Sequence, residues 1–120
     1  LFDWLSRDNK EVDKYIADPY CGAFFTAGFF CDFLEGIKSV ADAREIKNIP
    51  SDLPIYIFGG DKDPVGKNGK GVLKLVKTYE KHGIKDLTYK FYKDGRHEML
   101  HEINKDEVTT DIIKWINAHV

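Results

Sequence analysis

Two short stretches decide the fold of this chain: residues 53–63, LPIYIFGGDKD, and residues 87–97, LTYKFYKDGRH. In the first, an apolar run is stopped abruptly by two glycines, which is typical of a strand buried on both faces in a parallel sheet. In the second, apolar and polar residues alternate over residues 87–92, which also indicates a strand. Between them, the sequence predicts a helix over residues 69–82, because apolar residues recur at helical spacing and a glycine cap follows: Val72, Leu73, Val76, Tyr79 and Gly83.

A strand, a helix and a second strand in this order predict a right-handed unit with parallel strands, and hence an α/β fold. Parallel strands end at the same edge of the sheet, where α/β proteins place ligands and catalytic groups. Asp61 and Asp63 follow the first strand, and His97 follows the second. We therefore expect a carboxylate and an imidazole to meet at this edge, as two members of a catalytic triad do.

Both strand ends also carry a family resemblance. Residues 60–66, GDKDPVG, and residues 94–102, DGRHEMLHE, resemble the acid and histidine motifs of α/β-hydrolases, in particular of bacterial lysophospholipase and monoacylglycerol-lipase-like serine hydrolases. The resemblance implies that Asp63 is the triad acid and His97 the triad histidine. Asp61, earlier in the same turn, is the alternative acid.

In that family the nucleophile precedes the acid and the histidine, and this sequence has no candidate for it. Ser6, Ser39 and Ser51 are the three serines, and none lies in a Gly-x-Ser-x-Gly elbow; Cys21 and Cys31 also lack the flanking glycines. We expect the serine and the oxyanion hole to belong to an N-terminal half outside this chain, which would be inactive alone. Two parallel strands are likewise too few for a stable sheet.

Composition excludes several classes of protein. A chain of 120 residues with 42% hydrophobic residues can form one core. The net charge is −2 and the basic residues are dispersed among acidic ones, so the sequence does not predict the basic patch of a nucleic-acid-binding protein. The longest uncharged stretch, residues 19–31, is too short to span a bilayer, and residues 1–8 do not resemble a signal peptide, so we expect a cytoplasmic protein. Two cysteines make no disulfide framework.

Two parts of the chain are separated by a connector with two prolines, residues 48–54, NIPSDLP. Residues 1–48 are predicted to be the end of a helical cap, because WLSRD and YIADP within them resemble the end of the cap insertion of lipase-like hydrolases. Residues 49–120 are predicted to be the C-terminal part of the α/β-hydrolase core.

Two helices frame the chain. The first is predicted over residues 10–17, with Asp8 or Asn9 as its cap. The last is predicted to begin at Asn104, because Glu107 stands three residues on, as in a capping box. Its expected buried face consists of Val108, Ile112, Ile113, Trp115 and Ile116.

A further helix is predicted to begin at a Thr26 cap and to fade near Lys47. Its apolar residues recur at intervals of three and four: Phe29, Phe30, Phe33, Leu34, Ile37, Val40 and Ala41. One interpretation is a helix that packs on the sheet of this chain. The other is a lid whose aromatic side chains line an acyl-chain tunnel as substrate-binding residues: Phe24, Phe25, Phe29 and Phe30.

Three other motifs compete with the triad as interpretations of these residues. His97, Glu98 and His101 fit the His-Glu-x-x-His pattern of zinc hydrolases, but that pattern works inside a long helix, and here it follows a strand and a turn. Residues 60–67 miss the spacing of a phosphate loop, and Asn68 replaces its Ser or Thr. Strand-end carboxylates could hold Mg²⁺ or Ca²⁺, although no further ligand set is apparent: Asp61, Asp63 and Asp94.

We therefore expect the C-terminal half of a serine hydrolase that cleaves acyl esters, such as a lysophospholipid or a monoacylglycerol, without cofactor or metal. Its expected partners are a small acyl-ester or lipid-like substrate and the N-terminal half of the same protein. The alternative is a non-catalytic α/β fragment that folds by self-association. In that case, two copies could form a homodimer through the exposed sheet edge.

Overall fold

The computed structural model describes residues 1–40 and 42–120, and Ala41, expected on the apolar face of the second helix, lies outside the described residues. The elements in chain order are α1 (Asn9–Ala17), α2 (Ala27–Val40), α3 (Ala43–Ile46), β1 (Ile55–Gly60), α4 (Lys70–Lys81), β2 (Leu87–Tyr92), a short 3₁₀ turn (Met99–His101) and α5 (Lys105–Asn117).

The two strands pair in parallel, with Ile55 opposite Leu87 at one end and Gly60 opposite Tyr92 at the other. Helix α4 connects them, so the predicted α/β fold with parallel strands is confirmed. Both strands end at the same edge, where the acidic turn and the histidine loop begin. Most strand residues are only half-buried, because few elements of this chain cover the two faces of the sheet.

The main apolar core joins β2 to the two elements that follow it. Tyr92, Met99 and Val108 are buried together, and Phe58 and Ile112 pack against them. Burial of side chains of this size contributes about 1.5–3 kcal/mol each. The core therefore anchors both ends of the segment that carries His97.

The N-terminal helices begin at side-chain caps, as predicted. The Asp8 carboxylate accepts a hydrogen bond from the Lys10 amide at 3.0 Å, and the Thr26 hydroxyl oxygen accepts one from the Phe29 amide at 3.1 Å. The prediction that the second helix continues to near Lys47 is wrong, because α2 ends at Val40. Asp42 caps the separate helix α3 by accepting a hydrogen bond from the Arg44 amide at 2.8 Å.

Helix α2 does not pack on the sheet of this chain. None of its described residues is buried, and its apolar side chains are exposed to solvent. The phenylalanines contact one another instead, with ring centroids 4.3 Å apart for Phe25 and Phe29 and 5.9 Å apart for Phe29 and Phe33. The interpretation of this helix as a core element of the sheet is therefore wrong for the described residues.

The start of α5 at Asn104 agrees with the prediction, but the expected capping bond is not formed. Asn104 is the N-cap residue, but its side chain makes no capping bond to the backbone. Its amide nitrogen donates to the Glu107 carboxylate at 2.9 Å, and its oxygen accepts from Arg7 at 3.0 Å. The side chain is thus diverted by an arginine far away in sequence. Of the expected buried face, Val108 is fully buried, whereas Ile113 and Ile116 are exposed.

Within residues 1–40 and 42–120, none of the helices has the length and apolar character needed to cross a membrane.

Candidate active site

The acid turn begins where β1 ends, and it holds the Asp63 carboxylate in place. One oxygen, Oδ1, accepts a hydrogen bond from the Val65 amide at 2.8 Å, and Oδ2 accepts one from the Gly66 amide at 3.2 Å. The Asp63 carbonyl accepts the Asn68 amide at 2.7 Å. Short polar side chains fold back on the following backbone in this way in Asx turns, which fixes the direction of the carboxylate.

The histidine loop, residues 93–98, lies directly against this turn. The Lys62 amide donates to the Gly95 carbonyl at 2.9 Å, and the Asp94 amide donates to Asp61 Oδ1 at 2.7 Å. Asp94 adopts a left-handed conformation with φ of 58°, which aspartate tolerates better than most residues. Asp61, the alternative acid, is therefore used to tie the two loops together.

The structure brings Asp63 and His97 together. Nδ1 of His97 lies 3.2 Å from Oδ2 of Asp63, and the side chains are 38% and 14% exposed, respectively. An ionised carboxylate can only accept hydrogen bonds, so the proton of the neutral imidazole resides on Nδ1. This leaves the lone pair on Nε2, which makes no hydrogen bond within the described part of the chain. Such an imidazole can act as a general base.

Trp4 and Leu5 form part of the site, and sequence reasoning missed them. The His97 amide donates to the Trp4 carbonyl at 3.2 Å, and the Glu98 amide donates to the Leu5 carbonyl at 2.8 Å. The Trp4 ring packs beside the imidazole, with centroids 5.2 Å apart. Residues 1–48 are predicted to be the end of a helical cap, and no local pattern in them indicates contacts this distant along the chain.

Behind the loop, Glu102 is fully buried and pairs with Arg7 at 2.9 Å. Sequence reasoning also missed this pair. A glutamate is rarely buried without a partner, but nothing in its neighbours marks Glu102 as buried.

A pocket of about 320 Å³ opens beside His97. Its apolar walls come from Phe58, Met99 and Leu100, and its polar rim from His97, Glu98 and His101. Mostly apolar walls with a few polar groups are typical of small-molecule sites. The expected substrate-binding phenylalanines do not line this pocket: Phe24, Phe25, Phe29 and Phe30.

The His-Glu-x-x-His segment is not built as a zinc hydrolase requires. His97 lies in a bend, and His101 ends the short 3₁₀ turn Met99–His101, so they do not share one face of a long helix. Each histidine faces its own carboxylate, since His101 Nδ1 lies 2.6 Å from Glu98 Oε2. The alternative interpretation as a zinc hydrolase is therefore wrong, because the motif does not lie within the long helix that such a zinc site requires.

A charged network joins β2 to α5 on the strand face that carries Lys90 and Tyr92. The hydrogen bond from Lys90, followed by that from Tyr92, lowers the pKa of the Asp111 carboxyl. Burial, reinforced by the contacts with Tyr56 and Asp111, raises the pKa of the Tyr92 phenol. The network fixes the last helix against the strand that leads into the histidine loop.

The chain belongs to the α/β-hydrolase family described as serine aminopeptidase, S33 (Hydrolase_4), which matches residues 1–104. Among solved structures, it is similar to a highly thermostable carboxyl esterase from Bacillus coagulans in complex with glycerol, with a TM-score of 0.85 and 30% identity. The match covers 97% of this chain and 38% of the esterase chain. No curated protein matches the chain. The resemblance to α/β-hydrolases is thus confirmed.

Proposed function

We propose that this chain is the acid- and histidine-bearing part of a serine hydrolase that cleaves carboxylic esters. The observation that carries the proposal is the distance of 3.2 Å between His97 Nδ1 and Asp63 Oδ2 at the carboxyl edge of a parallel sheet. The carboxyl esterase among its structural neighbours supports an ester substrate.

In the proposed mechanism, Nε2 of His97 takes the proton of a serine hydroxyl as the serine oxygen adds to the ester carbonyl. Asp63 keeps the proton on Nδ1 and stabilises the imidazolium. The imidazolium then protonates the departing alcohol, which leaves an acyl-enzyme. A water molecule, deprotonated by the same Nε2, cleaves the acyl-enzyme to the acid and regenerates the serine.

The serine and the oxyanion hole are proposed to lie in a part of the protein outside these 120 residues, because none of the three serines here is placed as a nucleophile. Ser6 is buried, and its hydroxyl donates to the His101 carbonyl at 2.7 Å. This chain alone is then inactive, and its essential partner is the rest of the same protein.

The proposed substrate is an ester with an apolar acyl group, of the lysophospholipid or monoacylglycerol kind. The apolar walls of the pocket beside His97 support this choice. The exposed aromatic side chains of α2 and the preceding loop are proposed to close over the acyl chain as a lid: Phe24, Phe25, Phe29 and Phe30. The family description names an aminopeptidase, and the same triad could cleave an amide.

The test is to incubate the full-length protein with a fluorophosphonate probe and to record its intact mass. Turnover is then compared on p-nitrophenyl butyrate and on an aminoacyl p-nitroanilide. The proposal predicts one probe per protein and preferred cleavage of the ester. Preferred cleavage of the anilide would make the protein a peptidase, and a protein without adduct would contradict a serine mechanism.

Two further expectations stay predictions. One is the cytoplasmic location. The other is the alternative of a non-catalytic fragment that pairs its sheet edge with a second copy, for which sedimentation of the 120-residue chain is the direct measurement.

A further inference from the structure

Glu102 is a charged side chain with no access to solvent, and its carboxylate oxygens are occupied by N–H donors. Oε1 accepts the Arg96 amide at 2.8 Å and the Arg7 amide at 3.2 Å. Oε2 accepts Arg7 Nε at 2.9 Å and the Ile103 amide at 3.2 Å. A buried ion pair adds little net stability over apolar packing of the same volume, but its directional bonds fix the groups that it contacts.

The groups fixed by Glu102 are the neighbours of His97. Arg96 immediately precedes the histidine, and its guanidinium donates to the carbonyls of Asp3 and Ser6. Arg7 belongs to the same N-terminal segment, in which the Trp4 carbonyl accepts the His97 amide at 3.2 Å. The segment of residues 3–7 therefore runs along the histidine loop, and Glu102 binds the two together from behind.

Contact with Asp63 alone does not hold His97. The imidazole is 38% exposed, and 3.2 Å is at the long end of the hydrogen-bond range. Its backbone and the Trp4 ring must supply the remaining restraint. We infer that Glu102, through Arg7 and the Arg96 amide, is a positioning residue that keeps His97 within hydrogen-bonding distance of Asp63.

The kinetic consequence rests on the proposed function. A misplacement of the base by about 1 Å can lower the rate about 10²-fold. In the full-length enzyme, Glu102→Gln is expected to lower kcat on p-nitrophenyl butyrate about 10²-fold with little change in KM, because Glu102 does not line the pocket beside His97. Arg7→Lys keeps the charge but loses the planar fork, so it should lower kcat in the same direction.

A second readout does not depend on turnover. The proton between His97 Nδ1 and Asp63 gives a downfield NMR signal when the bond is formed, and this signal should broaden or vanish in both variants while circular dichroism shows a folded protein. The matched control is Arg44→Lys, since Arg44 pairs with Asp42 at 2.7 Å in an exposed position. It should leave kcat and the proton signal unchanged.

Several outcomes would overturn the inference. One is a folded Glu102→Gln enzyme with wild-type kcat and an unchanged proton signal, and another is a rise in KM with kcat unaffected. If Glu102→Gln does not fold, the Arg7→Lys variant tests the inference instead, through its kcat and its downfield proton signal. If the wild-type protein hydrolyses no ester, the proposed function fails, while the proton signal still tests the positioning role.

Discussion

The backbones of Gly60 and Gly95 are in direct contact, and a Cβ atom on Gly60 would lie 2.0 Å from the Gly95 carbonyl oxygen. Gly60 ends the strand before the acid turn, and Gly95 lies two residues before His97. The absence of a side chain at position 60 therefore allows the two loops to approach closely enough for Asp63 to reach His97.

Gly60→Ala should separate the two loops. We expect a loss of about 1–3 kcal/mol in the free energy of unfolding, because the contacted atoms are backbone and can yield only if the whole loop shifts. Ester turnover by the full-length enzyme should fall as well. Thermal unfolding and kcat measure the two effects. The matched control is Gly59→Ala in the same strand, where a Cβ would meet nothing within 4 Å. Equal behaviour of the two variants would contradict the importance of this contact.

Asp63→Asn should lower kcat about 10⁴-fold, because an amide in place of the carboxylate favours the wrong tautomer of His97. The fold should survive, since the amide oxygen of asparagine can still accept one of the two turn hydrogen bonds. Steady-state kinetics of the full-length enzyme on p-nitrophenyl butyrate measures the loss.

Asp61→Asn is the comparison for that variant. Its amide oxygen can still accept the Asp94 amide, which lies 2.7 Å from Oδ1 of Asp61. Turnover should stay close to the wild-type value. A loss as large as that of Asp63→Asn would transfer the role of the acid to Asp61.

Lys90 should stabilise the protein only while its carboxylate partners are ionised. Its Nζ lies 2.5 Å from Asp111 Oδ2 and 3.0 Å from Glu107 Oε1. Because these contacts lower the pKa of Asp111 on folding, the stabilisation is present above the unfolded pKa of about 3.9 and is lost as the pH falls through the lower folded pKa.

Lys90→Met should therefore lower Tm at pH 7, and the difference from the wild type should shrink as the pH falls below about 4. Thermal melts across this range measure it, with Lys93→Met at an exposed position as the control. A difference that is constant with pH would assign the effect to packing of the lysine stem.

Local signals account for the elements that the sequence predicts well. The strands follow from apolar runs and alternation that end at glycines, and the β2 bounds, Leu87–Tyr92, agree with the prediction. Asp8 and Thr26 cap helices through bonds to amides two or three residues away. The parallel strand order alone predicts that Asp63 and His97 lie at the same edge of the sheet.

What the sequence does not predict depends on contacts between distant residues. Arg7 reaches Glu102 and Asn104 across more than ninety residues, and no local pattern encodes these pairs. The same arginine diverts Asn104 from its expected capping bond. The packing of Trp4 beside His97 belongs to the same set of long-range contacts. The contacts that hold the histidine loop in place therefore cannot be predicted from the sequence.

The most direct measurement is a comparison of ester turnover by the full-length His97→Ala and His101→Ala variants. The two histidines belong to one short motif, but only His97 lies next to Asp63. His97→Ala should lower kcat about 10⁴-fold or more, whereas His101→Ala should stay close to the wild type. Equal loss in both variants would contradict the assignment of His97 and Asp63 as the base and its orienting acid.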